Sequence, residues 1–517
     1  MSTPSSVVLD GLSFTWPDGT PALANVVGSF SRTRTGLVGA NGAGKSTLLK
    51  LIAGELRPTG GAVVTSGTVD YLRQDVTRGA HTVADLLGIT PIRDALRAVE
   101  GGSTDPDVFD AVGDGWDIEE RAAVELATLG FPTDLDRSVS TLSGGEAMLT
   151  AIAGIQLRGA DIALLDEPTN NLDIDARQRL YGMIGSWRGT LIVVSHDLEL
   201  LDLLDETAEL RDGNLISFGG SYTEYREWVQ TQHDAAVQAL RSAEQVLKRE
   251  KRERAKAEER IAHSERQGRK DQENRKFVPA VINDRRNSAE KAQGSRRSDA
   301  DAKVKAATAA VEAAEQRARG DATVRVDLPD PKLPRGKRVA ELPSENGRNY
   351  VIQGPERVGL IGPNGVGKTT LLEAMLPHAS ARAAYLPQRI VLDDGATVLD
   401  AVRRFAPDVP PAHLRNRLAR LLIRGAMVDR QVASLSGGER FRVALSRLLL
   451  ADPPPELLVL DEPTNDLDIT SVNQLVAALA AYRGAVLVVS HDWRFLERLE
   501  LDVVLRLDED GVLSAVR

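Results

Sequence analysis

The chain has 517 residues, which at roughly 150 per domain suggests about three units, and carries 64 Lys+Arg against 74 Asp+Glu for a formal net charge of −10. It contains no cysteine, so disulfides, thiolate metal sites and a thiol nucleophile are excluded. No run of about 18 apolar residues occurs, which excludes a membrane-inserted helix, and Met1 to Ser6 show no basic-then-apolar secretory pattern, so a cytoplasmic location is expected.

In chain order, Val7 to Phe14 alternates as a strand does, and Trp16 follows just before the turn signal Pro17-Asp18-Gly19. A ring there suits stacking on a purine and equally suits a half-buried strand end. Gly39-Ala40-Asn41-Gly42-Ala43-Gly44-Lys45-Ser46-Thr47 then lies between the apolar Thr35 to Val38 and the helix-like Leu48 to Ala53. This is the phosphate-binding pattern G-x-x-x-x-G-K-[ST] in its strand-loop-helix setting. Its glycines let backbone N–H groups turn onto phosphate oxygens at a helix N-terminus, while Lys45 meets the β and γ phosphates and Ser46 offers a hydroxyl to Mg²⁺. Further on, the strand-like Ile162 to Leu165 ends in Asp166-Glu167, expected to hold Mg²⁺ and to polarise an attacking water. Another apolar strand, Leu191 to Val194, leads to Ser195-His196-Asp197, where His196 is either a γ-phosphate contact or a structural histidine.

From Thr231 to Gly320 the composition changes: 22 Lys+Arg stand against 15 Asp+Glu, while the remainder of the chain has 42 against 59. Leu240, Leu247 and Ile261 sit on a seven-residue grid, and Ala300, Val304, Ala307, Val311, Ala314 and Ala318 follow three-and-four spacing. Two helices packed as a hairpin are predicted, the first from about Ser221 to His263 and therefore roughly 60 Å long. Gly268, Pro279 and Gly294 interrupt the pattern and place a turn near Phe277 to Ile282. The intervening Arg266 to Arg297 is the most basic part, Arg275, Lys276, Arg285 and Arg286 among its cations. Such a run is either a solvated spacer, the better reading in isolation, or a contact for a polyanion.

The second half repeats the first. Gly362-Pro363-Asn364-Gly365-Val366-Gly367-Lys368-Thr369-Thr370 is another phosphate loop; Asp461-Glu462 and His491 recur thirty residues apart, as do Asp166 and His196. Internal duplication follows. Leu142-Ser143-Gly144-Gly145-Glu146 matches Leu435-Ser436-Gly437-Gly438-Glu439, and the tracts Asp166 to Asp173 and Asp461 to Asp468 match as well. From Gln74 to Ser143 there are 69 residues, and from Gln388 to Ser436 only 48, so a helical arm is expected within Asp75 to Thr141, where Asp105 to Glu125 is acidic. Ahead of the second phosphate loop, an expected strand near Val324 to Leu328 offers no aromatic. Ala147-Met148 also replaces the second copy's Arg440-Phe441.

Together these motifs resemble the ATP-binding cassette (ABC) ATPases. The resemblance implies an α/β fold with two phosphate-loop ATPase domains, residues 1–225 and 321–517, joined by an α-helical hairpin at 226–320. It makes Trp16 the adenine-stacking aromatic, Gln74 and Gln388 the Q-loop glutamines, and Asp173 part of a D-loop. Glu167, Glu462, His196 and His491 are then catalytic, and Ser46, Gln74, Asp166, Thr369, Gln388 and Asp461 surround Mg²⁺. Each phosphate loop is completed by the opposite signature. Thus Lys45, Ser46, Gln74, Asp166, Glu167 and His196 pair with Ser436, Gly437 and Gly438, and Lys368, Thr369, Gln388, Asp461, Glu462 and His491 with Ser143, Gly144 and Gly145, in a monomer that pairs its cassettes internally.

Two cassettes on one chain with a charged helical linker and no membrane segment resemble the ABC-F class. Members bind ribosomes near the tRNA exit site, as translation factors or in protection against antibiotics, so rRNA and tRNA are the expected partners and both roles stay open. A transporter's energy-coupling subunit accounts for the cassettes but not for the linker. A DNA-maintenance ATPase would have longer coiled coils or zinc-binding cysteines.

Overall fold

The computed structural model describes residues 6–73, 80–170, 172–211, 213–273, 295, 298–315, 328–379, 382–421, 423–465 and 467–516. Two compact units divide it: Met1–Thr223 with Val324–Arg517, and Glu224–Thr323.

The first unit holds two copies of one architecture. In the first copy, β1 (Ser6–Thr15) lies between β2 (Pro21–Phe30) and β4 (Gly60–Ser66) in an antiparallel sheet. Val7, Leu9, Leu12 and Phe14 point inward from β1, and the alternation slips at Gly11, where a left-handed φ of 56° accompanies a register shift. The remaining strands are β3 (Arg34–Val38), β5 (Val69–Leu72), β6 (Ile162–Asp166), β7 (Thr190–Val194), β8 (Glu206–Arg211) and β9 (Asn214–Gly219). They form a six-stranded sheet in the order β5-β6-β7-β3-β8-β9, parallel but for β9. Every residue of β6 and β7 is buried, the uniform apolar run expected of a parallel strand covered on both faces.

The second copy repeats this order. Its strands are β10 (Arg338–Leu342), β11 (Tyr350–Gln353), β12 (Arg357–Ile361), β13 (Ala383–Leu386), β14 (Leu457–Asp461), β15 (Ala485–Val489), β16 (Val503–Leu507) and β17 (Leu513–Ala515). The large sheet runs β13-β14-β15-β12-β16-β17, parallel but for β17. The fold is therefore mixed α/β with two sheet-bearing cassettes, as expected. Ahead of the second phosphate loop Arg338–Leu342 forms a strand; of the strand expected near Val324 to Leu328, residues 324–327 lie outside the described residues. Val339, Ala340 and Leu342 are buried there because β10 pairs with β11 and packs on the core that includes Leu360 and Leu372. Its connection to β11, residues 343–349, likewise has no aromatic.

Between Ala80 and the first signature stand four helices, Val83–Leu87, Thr90–Glu100, Pro106–Val112 and Ile118–Thr128, where the second copy has Val398–Arg403 and Pro411–Arg420 with two short 3₁₀ turns. Arg93, buried at the base of this extra helical arm, holds it with charge-assisted bonds to Glu119 (2.5 Å) and Asp136 (3.0 Å).

The second unit is helical. Its first helix, Tyr222–Glu273, has 52 residues and at ~1.5 Å per residue is roughly 78 Å long. It runs ten residues beyond the predicted end and through Gly268, because one helical glycine costs only about 1 kcal/mol and its neighbours Arg266, Gln267, Arg269 and Lys270 are good helix formers. Leu240 and Leu247 are half-buried on it. A second helix covers 298–315, with Ala307, Val311 and Ala314 buried at the predicted spacing, and Asp301 bonds Arg254 of the first helix at 2.9 Å. Arg275, Lys276, Arg285, Arg286 and the predicted turn lie outside the described residues.

Candidate functional site

In a parallel sheet every strand delivers its C-terminal end to the same edge, so β3, β6 and β7 bring the phosphate loop, Asp166-Glu167 and His196 together, and β12, β14 and β15 do the same for the second copy. Each loop begins with a glycine that no other residue can replace without displacement: Gly39 and Gly362 adopt φ of 152° and 156°, and a Cβ would collide with the carbonyl of Leu210 or Leu507. Lys45 Nζ donates to Gly39 O (2.8 Å) and Ala40 O (3.2 Å), and Lys368 Nζ to Gly362 O (2.8 Å) and Pro363 O (2.7 Å). Burial pushes both ammonium groups below their ordinary range; Glu167, Asp468 and Asp166 oppose this at Lys45, and Glu462, Asp173 and Asp461 at Lys368.

A cavity of about 470 Å³ opens over the first loop, lined by Asn41, Gly42, Gly44, Lys45, Ser46 and Thr47 together with Trp16, Glu167 and His196. Trp16 stands edge-on to Phe14 with centroids 5.0 Å apart and keeps 37% of its surface exposed, so one face is available to a ring. The opposite wall comes from the other cassette, through Thr464, Asn465 and Leu467. Ser436, Gly437 and Gly438 are not among its lining residues. In the second loop Gly365 and Gly367 take φ of 79° and 93°, Asn364 bonds across the cassettes, and Thr370 lies in the helix Lys368–Met375. Gln388 follows β13 and is exposed; Gln74 lies outside the described residues.

The cassettes interlock through two aspartates. Asp468 caps its own helix by accepting from Ser471 N (2.7 Å), while its second oxygen accepts from Asn41 N of the first loop (2.9 Å). Asp173 does the same with Ala176 N (2.9 Å) and Asn364 N (3.4 Å). Each D-loop therefore reaches the opposite phosphate loop, and the pairing is reciprocal. Ser143 and Ser436 head the signature helices Gly144–Arg158 and Gly437–Leu449 in full capping boxes with Glu146 and Glu439. Each serine oxygen accepts from its glutamate N–H and so keeps a hydroxyl proton for another acceptor.

Glu167 and Glu462 both have left-handed backbones, φ 51° and 45°, a conformation that costs a non-glycine residue on the order of 1–3 kcal/mol. Equivalent bonds fix the twist, Glu167 N to Val194 O (2.8 Å) and Glu462 N to Val489 O (2.9 Å). It carries each carboxylate to 3.2 Å from the neighbouring histidine, Oε1 to Nε2 in both copies. Burial holds both imidazoles near about 3, and the adjacent Lys45 or Lys368 adds to the effect, so the histidines are neutral at physiological pH. Their Nδ1 atoms are buried without partners.

For a metal the oxygens are suitably placed. Asp166 accepts from Ser46 and from Tyr71 OH (3.2 Å); Asp461 accepts from Thr369 Oγ1 (2.7 Å) and Tyr385 OH (3.3 Å). The second oxygen of Asp166 is buried and unpartnered. One carboxylate beside one hydroxyl, with no cluster of three acidic, histidine or cysteine side chains among the described residues, matches a Mg²⁺ ion carried largely by phosphate oxygens and water. The two tyrosines escaped the motif reading, although Tyr71-Leu72 and Tyr385-Leu386 recur three residues before each glutamine. Arg177, buried against Asp197, escaped it too, because nothing local marks it.

The ABC transporter family profile matches residues 28–170 and 346–465. ABC transporter F family member 5 of Arabidopsis thaliana is 30% identical over 93% of this chain and 72% of its own length. The chain belongs to the ABC-F family. ATP-binding protein Uup of Caulobacter vibrioides is 31% identical to this ABC-F chain, over 93% of it and 74% of the relative. Among solved structures, the archaeal ribosome recycling factor aABCE1, in complex with ribosomal stalk protein aP1, matches 98% of the chain and 89% of its own with a TM-score of 0.55 at 20% identity, which is a likeness of fold. The ABC-F cassettes bind ATP and hydrolyse it. No described helix is long and apolar enough to cross a membrane.

The second glutamate predicts a pH profile for the ABC-F ATPase. Burial raises Glu462 from 4.5 to about 7, against Lys368 and Arg177, so folding takes up a proton between those values and stability falls as pH rises through them. A general base works only once ionised. With Glu167→Gln silencing the first site, kcat/KM is expected to climb between about pH 6 and pH 8 with its midpoint near 7. The neutral His491 supplies no inflection there, and a flat profile would remove Glu462 as the titrating base.

Proposed function

We propose that this ABC-F chain is a cytoplasmic ATPase that works as a monomer, closing its cassettes on ATP at two composite sites and using the closure to act on the ribosome through its helical linker. The reciprocal contacts of Asp468 with Asn41 and of Asp173 with Asn364 carry the composite-site reading, because they give each phosphate loop a partner in the opposite cassette. Lys45 and Lys368 neutralise phosphate charge, and Glu167 and Glu462 orient and deprotonate the attacking water. His196 and His491, neutral, stand with Nε2 3.2 Å from Oε1 of those glutamates and line their carboxylates. The signature hydroxyls of Ser436 and Ser143 face the γ-phosphate in the closed state. Mg²⁺, when bound, neutralises developing charge on the phosphates; Asp166 with Ser46, and Asp461 with Thr369, would hold it, joined by Gln74 and Gln388.

The ribosome reading rests on the linker's excess of cations in an otherwise acidic chain, a pattern suited to a phosphate backbone. The description of the fold relative aABCE1 as a ribosome recycling factor supports it. Translation regulation and protection against antibiotics would both employ this arrangement. Exchanging Arg275, Lys276, Arg285 and Arg286 for Glu is expected to weaken co-sedimentation with ribosomes about tenfold or more and to flatten its salt dependence, while nucleotide binding is unchanged. Unaltered co-sedimentation, or sedimentation of the wild type with membranes instead, would overturn the reading.

A further inference from the structure

We infer that Tyr71 and Tyr385 are positioning residues for the metal-binding carboxylates of the two ATPase sites, an inference that rests on the site reading above. Tyr71 lies on β5 opposite Leu164 of β6, and Tyr385 lies on β13 opposite Val459 of β14. Side chains two apart on a strand share a face, so each tyrosine lies on the same side of the sheet as the aspartate two residues beyond its register partner. Both rings bridge that step and end 3.2 Å from Asp166 Oδ2 and 3.3 Å from Asp461 Oδ2. The same bond, from the same register, has been kept in both halves of a chain whose copies differ at many neighbouring positions.

The direction of the bond is fixed by chemistry. An ionised carboxylate only accepts, so the phenol must donate. That donation occupies Oδ2 and sets the carboxylate's rotation, and at Asp166 it leaves Oδ1 as the buried oxygen without a partner. A carboxylate pinned at one oxygen presents the other in a fixed place, which is how an outer partner tunes a metal ligand. Both tyrosines sit on sheet-edge strands, three residues before Gln74 and Gln388.

Tyr71→Phe with Tyr385→Phe keeps the rings and deletes only the donors. Binding of Mn²⁺ would be followed by electron paramagnetic resonance in the full chain with a non-hydrolysable ATP analogue, and binding of a fluorescent ATP analogue in EDTA would be measured beside it. The expected result is Mn²⁺ affinity lower by about tenfold in the double variant, with each single variant losing one site only and metal-free nucleotide binding unchanged. Identical Mn²⁺ binding in wild type and variants overturns the assignment, as does an equal loss in EDTA, which would mark the hydroxyls as merely structural. A double variant that melts well below the wild type likewise marks them as structural, unless the single variants, tested under the same conditions, show the one-site loss. Absence of any Mn²⁺-dependent nucleotide binding in the wild type would instead sink the site reading itself.

Discussion

Glu167→Gln combined with Glu462→Gln is expected to leave ATP binding intact and to lower turnover by about 10²–10⁴-fold, the usual contribution of a general base. Glutamine fits the same space and tolerates the left-handed backbone no worse, so the strain at φ 51° and 45° is unaltered and the fold should survive. What disappears is the ability to take a proton. On the proposed cycle hydrolysis releases the closed state, so the variant should accumulate with nucleotide held between the cassettes, visible as slow nucleotide release and compact scattering in ATP. Substantial residual ATPase activity would place the water-activating groups elsewhere. An equal loss of ATP affinity would mean that the glutamates serve binding instead.

The parts of this site that were legible in the sequence are the parts set by local chemistry. A glycine-lysine loop needs its residue types in order, and a carboxylate pair ending an apolar run announces a buried parallel strand, so Gly39 to Thr47, Asp166, Glu167 and their duplicates could be placed from spacing alone. The strained φ of Glu167 and Glu462 was not legible. It arises from hydrogen bonds to Val194 and Val489 on neighbouring strands, and nothing in an Asp-Glu-Pro-Thr string requires it. The reciprocal aspartate contacts were equally hidden, since Asp468 and Asn41 are 427 positions apart. The strand Arg338–Leu342 was not legible either; it is selected by its pairing with β11 and by the core beneath it. Helix length was underestimated because one glycine was given more weight than the strong helix formers around it.

The duplication is also less symmetric than its motifs suggest, and Arg177 is where this has the greatest energetic effect. Arg177 stands four residues after Asp173, and the position four after Asp468 is Val472; likewise Tyr181 corresponds to Val476. In the first copy Arg177 Nη1 bonds Asp197 Oδ2 at 3.1 Å, its Nε donates to Leu172 O at 3.3 Å, and Tyr181 OH donates to the same Asp197 oxygen at 2.7 Å. The side chains of Arg177 and Asp197 are only 13% and 6% exposed. In the second copy valines stand at those positions, burial raises the Asp492 carboxyl, and Arg177 is a cation from the opposite cassette that lines a cavity with it. One guanidinium thus serves acidic groups of both switch loops. Deleting one member of a buried pair strands the other, so Arg177→Met is expected to destabilise the chain by about 3–5 kcal/mol in urea unfolding. Arg177→Lys should recover only part of this, because an ammonium cannot bond Asp197 and Leu172 O with the spacing of a planar fork. A loss below about 1 kcal/mol would put the pair in the class of solvent-screened ion pairs, contrary to its burial. If the larger loss is found, the added Val472→Arg asks whether a cation supplied from the second cassette substitutes for the first, and recovery there would show that what the fold needs is one positive charge on the seam, whichever half donates it.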